Sequence, residues 1–139
     1  MKNVLFVCVH NSARSQMAET FLNELGNDKY RAESAGLKPG NLNQTVVTVM
    51  SEIGYDISAN ITKSVFEIAE AGKKFDYVIT VCDKEAAEQC PYFPGNVKRL
   101  HWGFKDPAAI NGSEVEKLKA VRKIRDEIEG KVKKFIKKH

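Results

Sequence analysis

What most constrains this 139-residue chain is the way it opens. Residues 3–7, NVLFV, are a short continuous apolar run, and Met17, Phe21 and Leu25 then recur at helical spacing. A short unbroken apolar run of this kind reads as a strand buried on both faces, so strand, loop and helix open the chain. The alternation continues. YRAESAG, residues 30–36, alternates polar and apolar as a second strand ended by Gly36, and Val46, Val49, Met50 and Ile53 mark a helix stopped at Gly54. Ser64 with Glu67 forms a capping box for a helix from Val65 to Ala71. FDYVITV, residues 75–81, is another buried strand with Cys82 at its end, KEAAEQ favours helix within limits set by Pro91 and Pro94, and VKRLHWG supplies a fourth strand. A second capping box, Ser113 with Glu116, opens a long amphipathic helix carrying Leu118, Val121, Ile124, Ile128, Val132 and Phe135. This order predicts an α/β fold, a single domain over residues 1–139 with a four-stranded parallel sheet flanked by helices on both faces.

Composition matters here for what it excludes. With 42% hydrophobic and 29% charged residues the chain matches an ordinary globular protein. The apolar run Val4 to Val9 is too short to span a bilayer, and the polar HNSARSQ behind it is no signal-peptidase site, so a cytoplasmic protein without membrane contact is expected. Much of the +4 net charge lies in KVKKFIKKH, where lysines surround Val132, Phe135 and Ile136 at helical spacing. That pattern is a solvated helix face, and no nucleic-acid partner is expected. Three cysteines, an odd number, argue against a disulfide framework and leave thiols that are metal ligands, catalytic or inert. Seven residues separate Cys82 from Cys90, wider than the spacing of paired zinc ligands, and no metal is expected.

In parallel sheets, sites form beyond the carboxyl ends of strands, where both Cys8 and Cys82 fall. If the first strand ends near Val7 and a helix begins near Ala13, the backbone amides of Val9, His10, Asn11, Ser12, Ala13 and Arg14 point into one concavity, with the helix dipole favouring an anion. A Cys8 thiolate is stabilised by the same amides, Arg14 can fold back to bind two anion oxygens, and Ser15 can donate to the sulfur. Taken singly, these residues have plainer readings. Cysteine is among the most buried residue types, so Cys8 and Cys82 also suit core packing, Cys90 a surface thiol, and Asp106 before Pro107 a turn or cap.

The resemblance of the loop to a known family separates these readings. CVHNSARSQMAE resembles the anion-binding loop of the low-molecular-weight phosphotyrosine phosphatase fold, in the form carried by thioredoxin-coupled arsenate reductases. SAG at Ser34 to Gly36, VITVCD at Val78 to Asp83, CP at Cys90 and HWGFKDPA at His101 to Ala108 are similar to that family in the same order. The resemblance implies reduction of arsenate to arsenite in arsenic detoxification, with phosphate or sulfate as competing oxyanions. It also implies a monomer with no bound cofactor and thioredoxin as the external reductant. Cys8 would attack arsenate held with Arg14, Asp106 would be the general acid, and Cys82 would attack Cys8 to release arsenite. Cys90 would then take over the disulfide for thioredoxin to reduce. A straight helix from Cys82 to Cys90 would hold their alpha carbons about 12 Å apart, beyond the roughly 7 Å limit of a disulfide, so the segment is expected to unwind.

Three positions depart from the family. His10 stands where many relatives resemble CTGNS with glycine, and is expected at the pocket rim facing solvent. The spacing of Cys82 and Cys90 is one residue longer than in the relatives. Some members bind potassium beside the loop. Asn11, Glu19 and Ser34 match three of its ligands, but the fourth, acidic, position falls on Lys63, whose ammonium is expected to replace the ion as loop support. Three rival functions carry distinct signatures. A phosphatase of this fold resembles DPYY after the acid, whereas this chain has DPAAI; coupling to a small thiol does not need all three cysteines; a binding module would not need Cys8, Arg14 and Asp106 together.

Overall fold

The computed structural model describes residues 1–138; His139, the end of the basic tail discussed above, lies outside them. Four parallel strands form one sheet in the order β2-β1-β3-β4, with β1 at Lys2–Cys8, β2 at Tyr30–Gly36, β3 at Tyr77–Thr80 and β4 at Lys98–His101. The helices are α1 at Arg14–Leu25, α2 at Gln44–Ser51, α3 at Val65–Glu70, α4 at Lys84–Ala87 and α5 at Glu114–Lys138, with a 3-10 turn at Pro107–Ala109. The predicted α/β architecture is the one observed.

Successive strand residues point to opposite faces, and β1 divides its side chains accordingly. Val4, Phe6 and Cys8 pack into a core with Met17, Phe21, Met50, Ile128, Val132 and Cys82, under α1, α2 and α5. Leu5 and Val7 turn the other way, to Val65, Phe75, Val78, Cys90 and Phe93. Helices therefore cover both faces.

Cap chemistry sets several helix limits. Asn43 accepts from the Val46 amide to start α2, and Ser113 and Glu116 close their predicted box, the Glu116 amide donating to Ser113 Oγ and the Ser113 hydroxyl to Glu116 Oε1. The helix expected over KEAAEQ is shorter than that pattern allows. Its one regular turn ends at Ala87, and the Gln89 and Cys90 amides close on Ala86 and Ala87 in a tighter geometry before Pro91.

Candidate active site

The sheet order fixes where a site can form. From β1 the chain crosses to β2 on one side and later to β3 on the other, so the carboxyl ends of β1 and β3 bound the crevice of a topological switch point. Cys8 is the last residue of β1, and Cys82 follows β3 by two residues after the Val81 amide donates to the Val7 carbonyl. Both thiols are buried, Cys8 at 3% and Cys82 at 1% exposure.

The loop between β1 and α1 is a cup of amides. The carbonyls of Cys8, Val9, His10 and Ser12 are taken by the amides of Leu37, Lys38, Gly40 and Asn43, a strap running outside the loop. A trans peptide points its N–H opposite its carbonyl, and the chain has no cis bond among the described residues, so the amides of Val9, His10, Asn11 and Ala13 face inward. The Asn11 amide donates to Cys8 Sγ at 3.2 Å. Asn11 itself is held at φ 55°, the left-handed region that asparagine tolerates better than most residues.

Asn11 then organises its surroundings through its side chain. Its Oδ1 accepts from the Lys63 amide at 3.0 Å, which fixes the direction of its NH2 group. Nδ2 donates to Ser15 Oγ at 2.8 Å and to Ser34 Oγ at 2.9 Å. Ser34 donates onward to Glu19 Oε1 at 3.0 Å, and Ser15 Oγ lies 2.9 Å from Cys8 Sγ, a hydrogen bond in which either atom can be the donor. Burial pushes the Glu19 carboxyl up, opposed by the Lys63 ammonium and the Ser34 bond. Lys63 Nζ stands 3.7 Å from Glu19 Oε1. Lys63 thus places a positive charge beside the carboxylate that Ser34 and Asn11 connect to the loop.

Arg14 is 5% exposed, donates from Nη1 to the Phe104 carbonyl at 3.1 Å and lies 3.8 Å from Asp106. Asp106, half-exposed, also accepts from the Ala108 amide at 3.0 Å, so the turn-capping role and a place at the mouth of the cup coexist. His10 is exposed at the rim, its Nδ1 2.9 Å from the Lys38 carbonyl. The Cys82 thiol is pushed up to about 11, first by burial and then by the adjacent Cys8, with Arg14 acting in the opposite sense.

Cys90 is placed differently from Cys8 and Cys82. It is 5% exposed, buried rather than the surface thiol of the plainer reading, and it packs on the opposite face of the sheet beside Phe75 and Phe93. All three cysteines are free thiols.

One organising residue has no motif of its own. Gln16, 1% exposed, donates from Nε2 to the Asn11 carbonyl at 3.0 Å and the Ile61 carbonyl at 3.1 Å, while its Oε1 accepts from Asn60 Nδ2 at 3.0 Å. It thereby ties the loop to residues 60 and 61. The available signal was an amide in the first turn of an otherwise buried helix face.

The arrangement provides a nucleophilic sulfur beneath an oxyanion cup, a guanidinium at its side, a carboxyl at its mouth and a second thiol within its crevice. Known proteins resemble the chain as a whole. The family model described as low molecular weight phosphotyrosine protein phosphatase matches residues 3–139. An arsenate reductase of Shouchella clausii is 41% identical over 134 residues, covering 96% of this chain and 94% of the relative. A solved arsenate reductase in a phosphate-binding state superposes with a TM-score of 0.76 at 30% identity, over 99% of this chain and 98% of the other. A thioredoxin-dependent arsenate reductase of Corynebacterium glutamicum gives a TM-score of 0.76 at 27% identity, over 99% of this chain and 61% of that one. The chain belongs to the low-molecular-weight phosphotyrosine protein phosphatase family, among relatives named arsenate reductases.

Proposed function

We propose that the protein is an arsenate reductase that works through a Cys8, Cys82 and Cys90 relay and is regenerated by thioredoxin. The observation that carries this reading is the position of Cys82, a second buried thiol at the strand end next to the oxyanion cup. Ester hydrolysis has no use for such a thiol, whereas reduction of a bound oxyanion does. The DPAA stretch agrees with this, since Ala108 and Ala109 offer no ring to flank a phenyl ester.

Cys8 Sγ bonds to arsenic while an oxygen departs as water with a proton from Asp106, and Arg14 balances the anion. Cys82 Sγ then attacks Cys8 Sγ. The sulfur–arsenic bond breaks, its electron pair stays on arsenic, and arsenite leaves a Cys8–Cys82 disulfide. The high pKa of Cys82 suits this order. Burial, the larger cause, and the neighbouring Cys8 both oppose a Cys82 thiolate before Cys8 has reacted; bonding of Cys8 to arsenic removes the second cause and leaves the first. Cys90 next displaces Cys8 from Cys82, and a thioredoxin dithiol reduces the Cys82–Cys90 pair. Three free thiols at the start of such a cycle suit the reducing cytoplasm.

Lys63 takes the place that an ion holds in some relatives, with its ammonium keeping Glu19 charged behind Ser34 and Asn11. Exchange of sodium for potassium is then expected to leave turnover unchanged, and a several-fold rise would refute this role.

The deciding experiment follows NADPH oxidation with arsenate, thioredoxin and thioredoxin reductase in the intact protein, Cys82→Ser and Cys90→Ser, beside a p-nitrophenyl phosphate assay. Arsenate-dependent turnover lost in both variants is expected. Turnover that persists in Cys90→Ser with a small thiol would redirect the coupling. Absent arsenate turnover with unimpaired ester cleavage would overturn the reductase reading.

A further inference from the structure

The relay requires Cys90 to reach Cys82, yet in the reduced protein Cys90 is buried in the other core with Phe75 and Phe93, whose rings meet edge to face at 5.5 Å. Something must hold the segment there and let it go. One side chain touches three consecutive residues of it. Arg99, exposed on the edge strand β4, donates from Nη1 to the Pro91 carbonyl at 3.2 Å and from Nη2 to the Cys90 carbonyl at 3.5 Å, and its guanidinium lies 5.1 Å from the ring centroid of Tyr92. Tyr92 is 88% exposed, so this stack is its visible anchor. The Pro91 carbonyl also takes the Cys90 thiol at 3.7 Å, so one acceptor joins latch and thiol.

We propose that Arg99 is a positioning residue, a latch that holds the Cys90–Pro91–Tyr92 segment in its reduced seating and sets how often Cys90 leaves it. This rests on the relay above, in which the Cys90 thiolate bonds to Cys82 Sγ, the Cys8–Cys82 bond breaks and Cys8 departs as a thiolate. The planar guanidinium fork reaches two carbonyls and a ring face at once, a combination that a lysine ammonium does not reproduce.

The test reads Cys90 directly. The reduced full-length protein is alkylated with iodoacetamide without arsenate, and modification at Cys90 is followed by peptide mass spectrometry. Alkylation requires the segment to open, so losing the two hydrogen bonds and the stack, worth together about 1 kcal/mol, in Arg99→Ala is expected to raise the rate roughly fivefold. Lys98→Ala, which removes a neighbouring exposed charge, should match the parent. If Arg99→Ala fails to fold, Tyr92→Ala removes the stack alone and should raise the rate about twofold. A single turnover with arsenate then asks whether transfer of the disulfide to Cys82–Cys90 accelerates in the same proportion while formation of Cys8–Cys82 does not change. Unaltered alkylation and transfer in Arg99→Ala would overturn the latch. Arsenate that oxidises none of the thiols would overturn the relay instead, and the alkylation rates would still decide the latch.

Discussion

The alpha carbon of Gly36 faces the Asn11 amide so closely that a Cβ built on it would stand 2.8 Å from that nitrogen, and equally near the His10 carbonyl carbon and the Val9 oxygen. All three neighbours are backbone, so no side chain can swing aside. Gly36→Ala is expected to displace the loop, destabilise the protein by about 1–3 kcal/mol and weaken oxyanion binding roughly tenfold or more. Calorimetric titration with phosphate beside a thermal melt checks both effects. Unchanged affinity would mean that the cup tolerates the shift.

Gln16 makes a comparable prediction from inside the helix. Gln16→Ala strips the Asn11 carbonyl and Asn60 of buried partners, at a cost of about 2 kcal/mol and a melting point lower by roughly 5 °C. The loss should also loosen the left-handed turn at Asn11 and lower oxyanion affinity, whereas Asn23→Ala, remote from the loop, should leave that affinity alone.

Glu19 and Lys63 give a pH signature. Burial already raises the Glu19 carboxyl above its ordinary range, so its neutral form favours the fold at low pH, and that contribution fades as pH rises and the group ionises. Removing the ammonium in Lys63→Met raises it further. The variant should melt roughly 2–4 °C below the parent at pH 7.5 and converge with it near the acid end, where Glu19 is protonated in both. A deficit of equal size at both ends would mean that Lys63 acts through packing alone.

For Cys82, with its thiol near 11, alkylation in the reduced intact chain should be slow at neutral pH and climb about tenfold per pH unit below that value. Cys8→Ala removes one of the three causes that push the thiol up, the others being burial and Asp83. The midpoint should move down in that variant and still lie above that of an ordinary thiol, because burial remains. A midpoint unmoved by the substitution would mean that Cys8 contributes nothing to the shift.

The fold was legible because β1 and β3 are continuous apolar runs and α5 repeats its apolar positions over several turns, and these signals depend on local sequence alone. The oxyanion loop was legible for a similar reason, since its cysteine, arginine and serine are set by one strand-to-helix turn. What escaped is what distant segments decide. Gln16 becomes an organiser only when residues 60 and 61 arrive beside it, and Gly36 is indispensable only because β2 runs next to the loop. The separation of Cys90 from Cys82 follows from which face of the sheet each segment covers, and sequence spacing carries no record of that.

That separation ties oxidation chemistry to mechanical work. Because the sheet stands between Cys90 and the cup, passing a disulfide to Cys90 in the proposed relay would require its aromatic-lined seat to be vacated, which would write the redox state of the sulfurs into how the hydrophobic interior is filled. In the relay proposed above, packing thereby guards Cys90 against idle pairing, and a chain that carries the Cys82–Cys90 disulfide must differ in shape from the reduced one.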